Sequence, residues 1–208
     1  MLRIANKNKG LLIVLSGPSG VGKDSIFRKI SSMGTNLKLS VSCTTRPPRK
    51  GESHGKDYHF ITKSEFLDMA DKGHFLEYAS YCENYYGTPL IEVEENLAKG
   101  TNIILIIEVK GAAEVIKKRP DAVSIFILPP SIDVLLSRLK GRSLDSSEVI
   151  EKRILEAKKE IRQAKNYKYT LVNHFIEEAA ENVLKIIDVE CMKTPKMNKI
   201  INEVLEND

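Results

Sequence analysis

The chain has 208 residues, 42% hydrophobic and 29% charged, an ordinary globular composition and enough length for one compact domain with appended subdomains. Its 32 basic and 28 acidic residues, net charge +4, are spread without a dense basic run, which argues against a nucleic-acid surface and suits phosphate-bearing ligands. Three scattered cysteines (Cys43, Cys82, Cys191) argue against a disulfide framework, and no apolar run nears the roughly 18 residues of a membrane span, so a cytoplasmic protein without nucleic-acid or membrane partners is expected.

A loose, Lys- and Asn-rich start leads into an apolar run over 11–15, a candidate buried strand. β-branched runs over 102–109 and 122–128 alternate with helix-like stretches over 89–99 and 112–118. The alternation implies an α/β fold, a parallel sheet covered by helices. Residues 170–173 offer a last strand, and 177–189 an amphipathic helix. Two insertions differ in texture. The first, from 42 to about 86, mixes Arg, Pro, Gly and Tyr and holds a short helix over 63–72, announced by the capping-box spacing of Thr62 and Glu65. The second follows Pro129 and Pro130, and its charged stretch 139–167 predicts a solvated, mobile helical arm. In the tail, Ile200, Ile201, Val204 and Leu205 recur at helical spacing without any chemical motif.

The strongest signal is Gly17-Pro18-Ser19-Gly20-Val21-Gly22-Lys23-Asp24-Ser25, placed between a strand and a helical pattern as a phosphate-binding P-loop requires. Its glycines let backbone N–H groups turn around a polyphosphate, the helix aims its positive end there, and Lys23 adds charge for the β and γ oxygens. Asp24 stands where such loops carry a Mg²⁺-binding Ser or Thr. Mg²⁺ takes hard oxygen ligands, so Asp24 is the candidate metal ligand, directly or through water, with Ser25 as its substitute.

A second phosphate site is suggested by Arg46 and Arg49 in the proline-stiffened segment Ser42-Cys43-Thr44-Thr45-Arg46-Pro47-Pro48-Arg49-Lys50-Gly51-Glu52. Guanidinium groups fork onto a phosphomonoester and keep their charge. Glu77, taken alone, reads as an outward-facing strand residue.

From about 11 to 187 the chain resembles the guanylate kinase family. The P-loop, the Arg46–Arg49 segment, Gly55-Lys56-Asp57-Tyr58-His59-Phe60, Phe75-Leu76-Glu77-Tyr78-Ala79 and Asn84-Tyr85-Tyr86-Gly87-Thr88 arrive in the family's order. The resemblance implies a P-loop NTPase-type core (10–41, 89–130, 168–190), a mixed α/β GMP-binding insertion (42–88), a helical lid (131–167) and a tail (191–208). It further implies transfer of the γ-phosphoryl group of ATP to GMP with Mg²⁺. Arg46, Arg49, Tyr58 and Tyr86 would hold the GMP phosphate; Glu77 would accept guanine N1–H and N2–H, and Ser42, Thr88 and Glu108 would complete the base contacts. Adenine offers no donor at N1, which would leave a buried carboxylate unpaired. Arg142 and Arg153 of the lid would reach the phosphates on closure, and catalysis would come from alignment and cationic charge, with Lys23 and Arg46 in the same service.

Four positions depart from the family pattern. Asp24 is one; Ile106 replaces the first of two acids ahead of Gly111, Ser143 replaces a Gly, and His174 stands where Asp follows Asn. Asp24 is a candidate to compensate for the acid lost at Ile106. Two other readings are a P-loop kinase for another small phosphorylated substrate, which Glu77 with Tyr58 and Tyr86 disfavours, and a guanylate kinase-like phosphopeptide-binding module, which the intact Lys23 and glycines disfavour. Oligomeric state stays open.

Overall fold

The computed structural model describes residues 9–81, 83–141 and 147–206, apart from the side chains at 81, 147 and 199. The core opens with β1 (Leu12–Ser16), α1 (Lys23–Ser32) and β2 (Leu37–Leu39). An insertion follows: β3 (Cys43–Thr44), β4 (His59–Phe60), α2 (Lys63–Asp71), β5 (Phe75–Tyr81) and β6 (Asn84–Pro89). The core resumes with α3 (Leu90–Ala98), β7 (Asn102–Ile106), α4 (Val109–Lys118) and β8 (Val123–Leu128). An arm of α5 (Ile132–Lys140), α6 (Ser147–Ile161) and a 3₁₀ turn (Arg162–Asn166) precedes β9 (Tyr169–Val172), α7 (Ile176–Cys191) and α8 (Thr194–Glu206).

Five parallel strands run in the order β2-β7-β1-β8-β9. Parallel strands need helical crossovers, so helices cover both faces and the central strands read as continuous apolar runs. Successive β1 side chains divide between two cores. Ile13 and Leu15 pack with Ile26 and Ile30 of α1 and Val183 and Ile187 of α7; Leu12 and Val14 pack with Val93 and Leu97 of α3 and Val115 of α4. The insertion forms its own sheet, order β4-β3-β6-β5, around Phe66 and Phe75, whose rings stack at 4.4 Å. Its helix α2 starts at the capping box read from the sequence: Thr62 accepts the Glu65 N–H while the Glu65 carboxylate accepts the Thr62 N–H.

Two sequence expectations change. The strand expected over 102–109 ends at Ile106, the last residue paired with β1, because β1 turns away into the glycine loop one residue later. Glu108 thereby becomes the N-cap of α4, its carbonyl accepting the Ala112 N–H at 2.9 Å, and that helix starts at Val109 rather than 112. The arm expected to be solvated has a polar outside only, since Leu135, Leu139 and Ala157 bury one another between α5 and α6.

Candidate functional site

The glycine loop joins β1 to α1 with Gly22 as the helix cap at φ 103°, a left-handed conformation natural to glycine. Lys23 lies back across the loop and donates to the carbonyls of Gly17 at 2.6 Å and Pro18 at 3.3 Å. The loop is braced from behind. Asn173, at the end of β9 and 1% exposed, donates Nδ2–H to the Val21 carbonyl at 2.8 Å; Arg138 of α5 donates to the same carbonyl at 3.3 Å and to the Asn173 carbonyl at 3.1 Å. A Cβ at Gly22 would fall 2.6 Å from Asn173 Nδ2, so glycine is required there by space as well as by φ. Arg153 of α6 donates to the Ser19 hydroxyl at 2.8 Å, which brings the arm onto the loop. Arg142 and Ser143 lie outside the described residues.

Asp24 is exposed in the first turn of α1, beside Lys23, and Ser25 is half-buried behind it. The described residues contain no cluster of three or more His, Cys, Asp or Glu suited to a metal. One exposed carboxylate beside a phosphate loop fits Mg²⁺, which is bound mainly by phosphates and water with one or two protein oxygens. Ile106, where the family pattern has an acid, is half-buried against the core.

In the insertion, Arg46, Tyr58 and Tyr86 converge. The Arg46 guanidinium lies 5.4 Å from the Tyr58 ring centre and the two tyrosine rings meet edge-on at 6.0 Å. Glu52 also binds Arg46 in a fork of two 2.9 Å hydrogen bonds and accepts the Arg49 backbone N–H at 2.7 Å. Arg46 in turn holds the Glu52 carboxyl below the usual range. The fork fixes the guanidinium plane in advance of any ligand. The Arg49 side chain is exposed, and Ser42 is half-buried next to the Cys43–Gly87 strand pair. Burial, then the Tyr86 phenol, push the Tyr58 phenol up.

Glu77 is not the outward-facing strand residue its local sequence suggests: it is 5% exposed. It sits directly opposite Thr88 in the β5–β6 hairpin and accepts the Thr88 hydroxyl at 2.6 Å. The first turn of α4 closes over it. A Cβ at Gly111 would stand 2.5 Å from Glu77 Oε2, so glycine is what lets the helix approach. Burial pushes the Glu77 carboxyl up, partly offset by the Thr88 hydroxyl. Glu108 is exposed at the N-cap of the same helix, one turn before Gly111.

Three contributors escape a motif reading: Glu52, as the partner of Arg46; Asn173 with Arg138, as the brace; and Glu160 of α6, a half-buried carboxylic acid on which Glu108 and Lys23 both act. The only sequence signal for Glu160 is its place seven residues after Arg153, on the same helical face.

The family model described as guanylate kinase matches residues 9–190. A guanylate kinase of Lactococcus lactis is 50% identical over 184 residues, covering 88% of this chain and 90% of its own length. One of Streptococcus mutans is 48% identical over 202 residues, covering 95% and 96%. A crystal structure of guanylate kinase from Anaplasma phagocytophilum superposes with TM-score 0.73 at 37% identity, covering 90% of this chain and 89% of that one. With the glycine loop, the arginine–tyrosine cluster and the buried glutamate in place on a matching fold, the chain belongs to the guanylate kinase family.

Proposed function

We propose that this protein transfers the γ-phosphoryl group of ATP to GMP, giving ADP and GDP. The observation that carries the acceptor side is Glu77, a buried carboxylate held by Thr88 where the insertion meets α4. Burying a carboxylate is costly without donors, and the paired N1–H and N2–H of guanine are the donors it lacks. Adenine at that place presents an acceptor at N1 and leaves the charge uncompensated.

The phosphates meet preset cations. Arg46, its plane fixed by Glu52, and the hydroxyls of Tyr58 and Tyr86 receive the GMP phosphate, with Arg49 free to swing in from the surface. Lys23 exchanges the Gly17 and Pro18 carbonyls for oxygens of the ATP triphosphate, while Arg153, already on Ser19, adds charge from the arm side. Asp24 would be the protein ligand of a Mg²⁺ ion accompanying the nucleotide, which would supply further positive charge beside the phosphates. Phosphoryl transfer then needs alignment and charge neutralisation rather than a base. Closure of the arm keeps water from the γ-phosphate.

Calorimetric titration of the wild-type protein with GMP and with AMP tests this reading. GMP should bind at least tenfold more tightly, the order of one hydrogen bond to a charged group; equal affinity for the two would overturn it.

A further inference from the structure

The last helix, α8, lies beyond the residues that the guanylate kinase model matches, and no step of the proposed chemistry uses it. It carries an apolar stripe at helical spacing, Met197, Ile200, Ile201 and Val204, with Leu205 alongside. Met197 and Ile200 are half-buried, but toward the end of the helix the stripe is open: Ile201, Val204 and Leu205 are 42%, 64% and 69% exposed. Val189 and Met192, at the end of α7, are exposed as well. Single exposed apolar side chains are ordinary on a protein surface; a run of them at helical spacing marks an interaction face.

The charges of α8 identify the occupant. Its first half is basic, with Lys196 and Lys199, and its second half acidic, with Glu203 and Glu206. No acidic residue stands in its first turn and no basic one in its last. That order opposes the helix macrodipole, which favours anions at the start and cations at the end, and Lys199 ahead of Glu203 is the less favourable sense of an i,i+4 pair. The pattern therefore does not serve the isolated helix. It does serve an antiparallel helix of the same sequence, whose acidic half would lie along this basic half. Lys196 and Lys199 come seven residues before Glu203 and Glu206, so each lysine position shares a side of the helix with its glutamate and a two-fold axis can match both flanks at once. An anionic lipid surface would instead meet the glutamates as like charges. We propose that α8 is a self-association surface: two copies of the chain pair their α8 helices antiparallel about a two-fold axis near Ile201, apolar stripe to apolar stripe, with the basic half of each along the acidic half of the other.

Sedimentation of the full chain without substrates reads its mass directly and does not depend on the phosphoryl-transfer reading. Across concentrations from about 1 to about 200 μM the wild type should pass from the monomer mass to twice that mass. A lysine-reversed chain (Lys196→Glu with Lys199→Glu) and a glutamate-reversed chain (Glu203→Lys with Glu206→Lys) each set like charges against one another across the pair. Each should dimerise on the order of 10²-fold more weakly at low salt, the sum of four lost exposed ion pairs and four repulsions, and the deficit should shrink at high salt. Neither change opposes the helix macrodipole, since both bring the charges into line with it. Mixed in equal amounts, the two reversed chains complement each other and should pair as tightly as wild type, within about threefold. A wild type that stays monomeric up to about 200 μM would overturn the proposal, as would one that instead sediments with vesicles of phosphatidylserine and phosphatidylcholine. Reversed chains that dimerise like wild type would overturn it too, and so would a mixture no tighter than the separate chains. A mixture far tighter than wild type would contradict the antiparallel arrangement, because only parallel helices set like charges together in the natural sequence.

Discussion

Asn173 Nδ2 donates to the Val21 carbonyl at 2.8 Å, tying the end of the last sheet strand to the phosphate loop across 152 residues of sequence. Arg138 shares that carbonyl at 3.3 Å, so the loop is held from two elements at one atom. Replacing Asn173 with Ala removes the shorter bond and opens a space behind Gly22. The expected cost is about 1–2 kcal/mol of stability in urea melts, the size of a buried hydrogen bond. Initial-rate kinetics should show KM for ATP rising severalfold with KM for GMP unchanged, because the brace touches only the donor loop.

Glu77→Gln keeps the shape and the Thr88 bond but replaces one carboxylate oxygen by a donor, which faces the guanine donors like to like. Loss of two charge-assisted hydrogen bonds should lower kcat/KM for GMP by roughly 10²-fold. Thermal melts of the empty variant should be no lower than those of wild type, since the substitution removes a carboxylate that burial disfavours. Function and stability thus move in different directions at this residue.

Asp24 is the first metal candidate beside Lys23, ahead of Ser25, and the half-buried Ile106 offers no oxygen ligand in place of the family's acid. Asp24→Ala should raise the Mg²⁺ concentration needed for half-maximal rate by about tenfold, the scale of one lost hard-oxygen ligand. It should also strengthen metal-free nucleotide binding, as a negative charge beside the phosphates is removed. Magnesium titrations of the rate and metal-free calorimetry read the two effects separately.

Glu160 makes stability depend on pH. Its carboxyl lies at about 7 in the folded protein against an ordinary 4.5, so between those values the folded state binds more protons than the unfolded one. Its contribution is complete below the unfolded value and is lost as pH rises through the folded one. Glu160→Gln, which has no such titration, should match wild type in melts near pH 4 and exceed it near pH 8, with the gap opening between.

Much of this architecture was legible because local chemistry and fold agree: the apolar run at β1, the capping box of Thr62 and Glu65, and the loop ending in Lys23 each announce one element. Glu77 was legible only through resemblance. Its burial is created by α4, whose Gly111 comes from a distant segment, and no local pattern reports that. The limits of β7 failed for a similar reason, since the strand stops where its neighbour β1 leaves the sheet rather than where the β-branched run ends. The polar arm concealed an inner face, as Leu135, Leu139 and Ala157 are too few to dominate its composition. The bracing of Val21 by Asn173, the forking of Glu52 onto Arg46 and the inward turn of Glu160 are tertiary facts, set by side-chain direction and invisible in spacing.

In the proposed function a buried glutamate selects the acceptor base while the glycine loop delivers the phosphoryl group. A coupled assay with Mg-ATP and GMP, AMP, CMP or UMP as acceptor, run on the wild-type protein, addresses it most directly. GMP should be turned over at least 10²-fold more efficiently in kcat/KM than the other three, the discrimination expected when a site built for hydrogen bonds meets a base that cannot make them. Comparable turnover of GMP and AMP, or none with GMP while Mg-ATP binds, would contradict it.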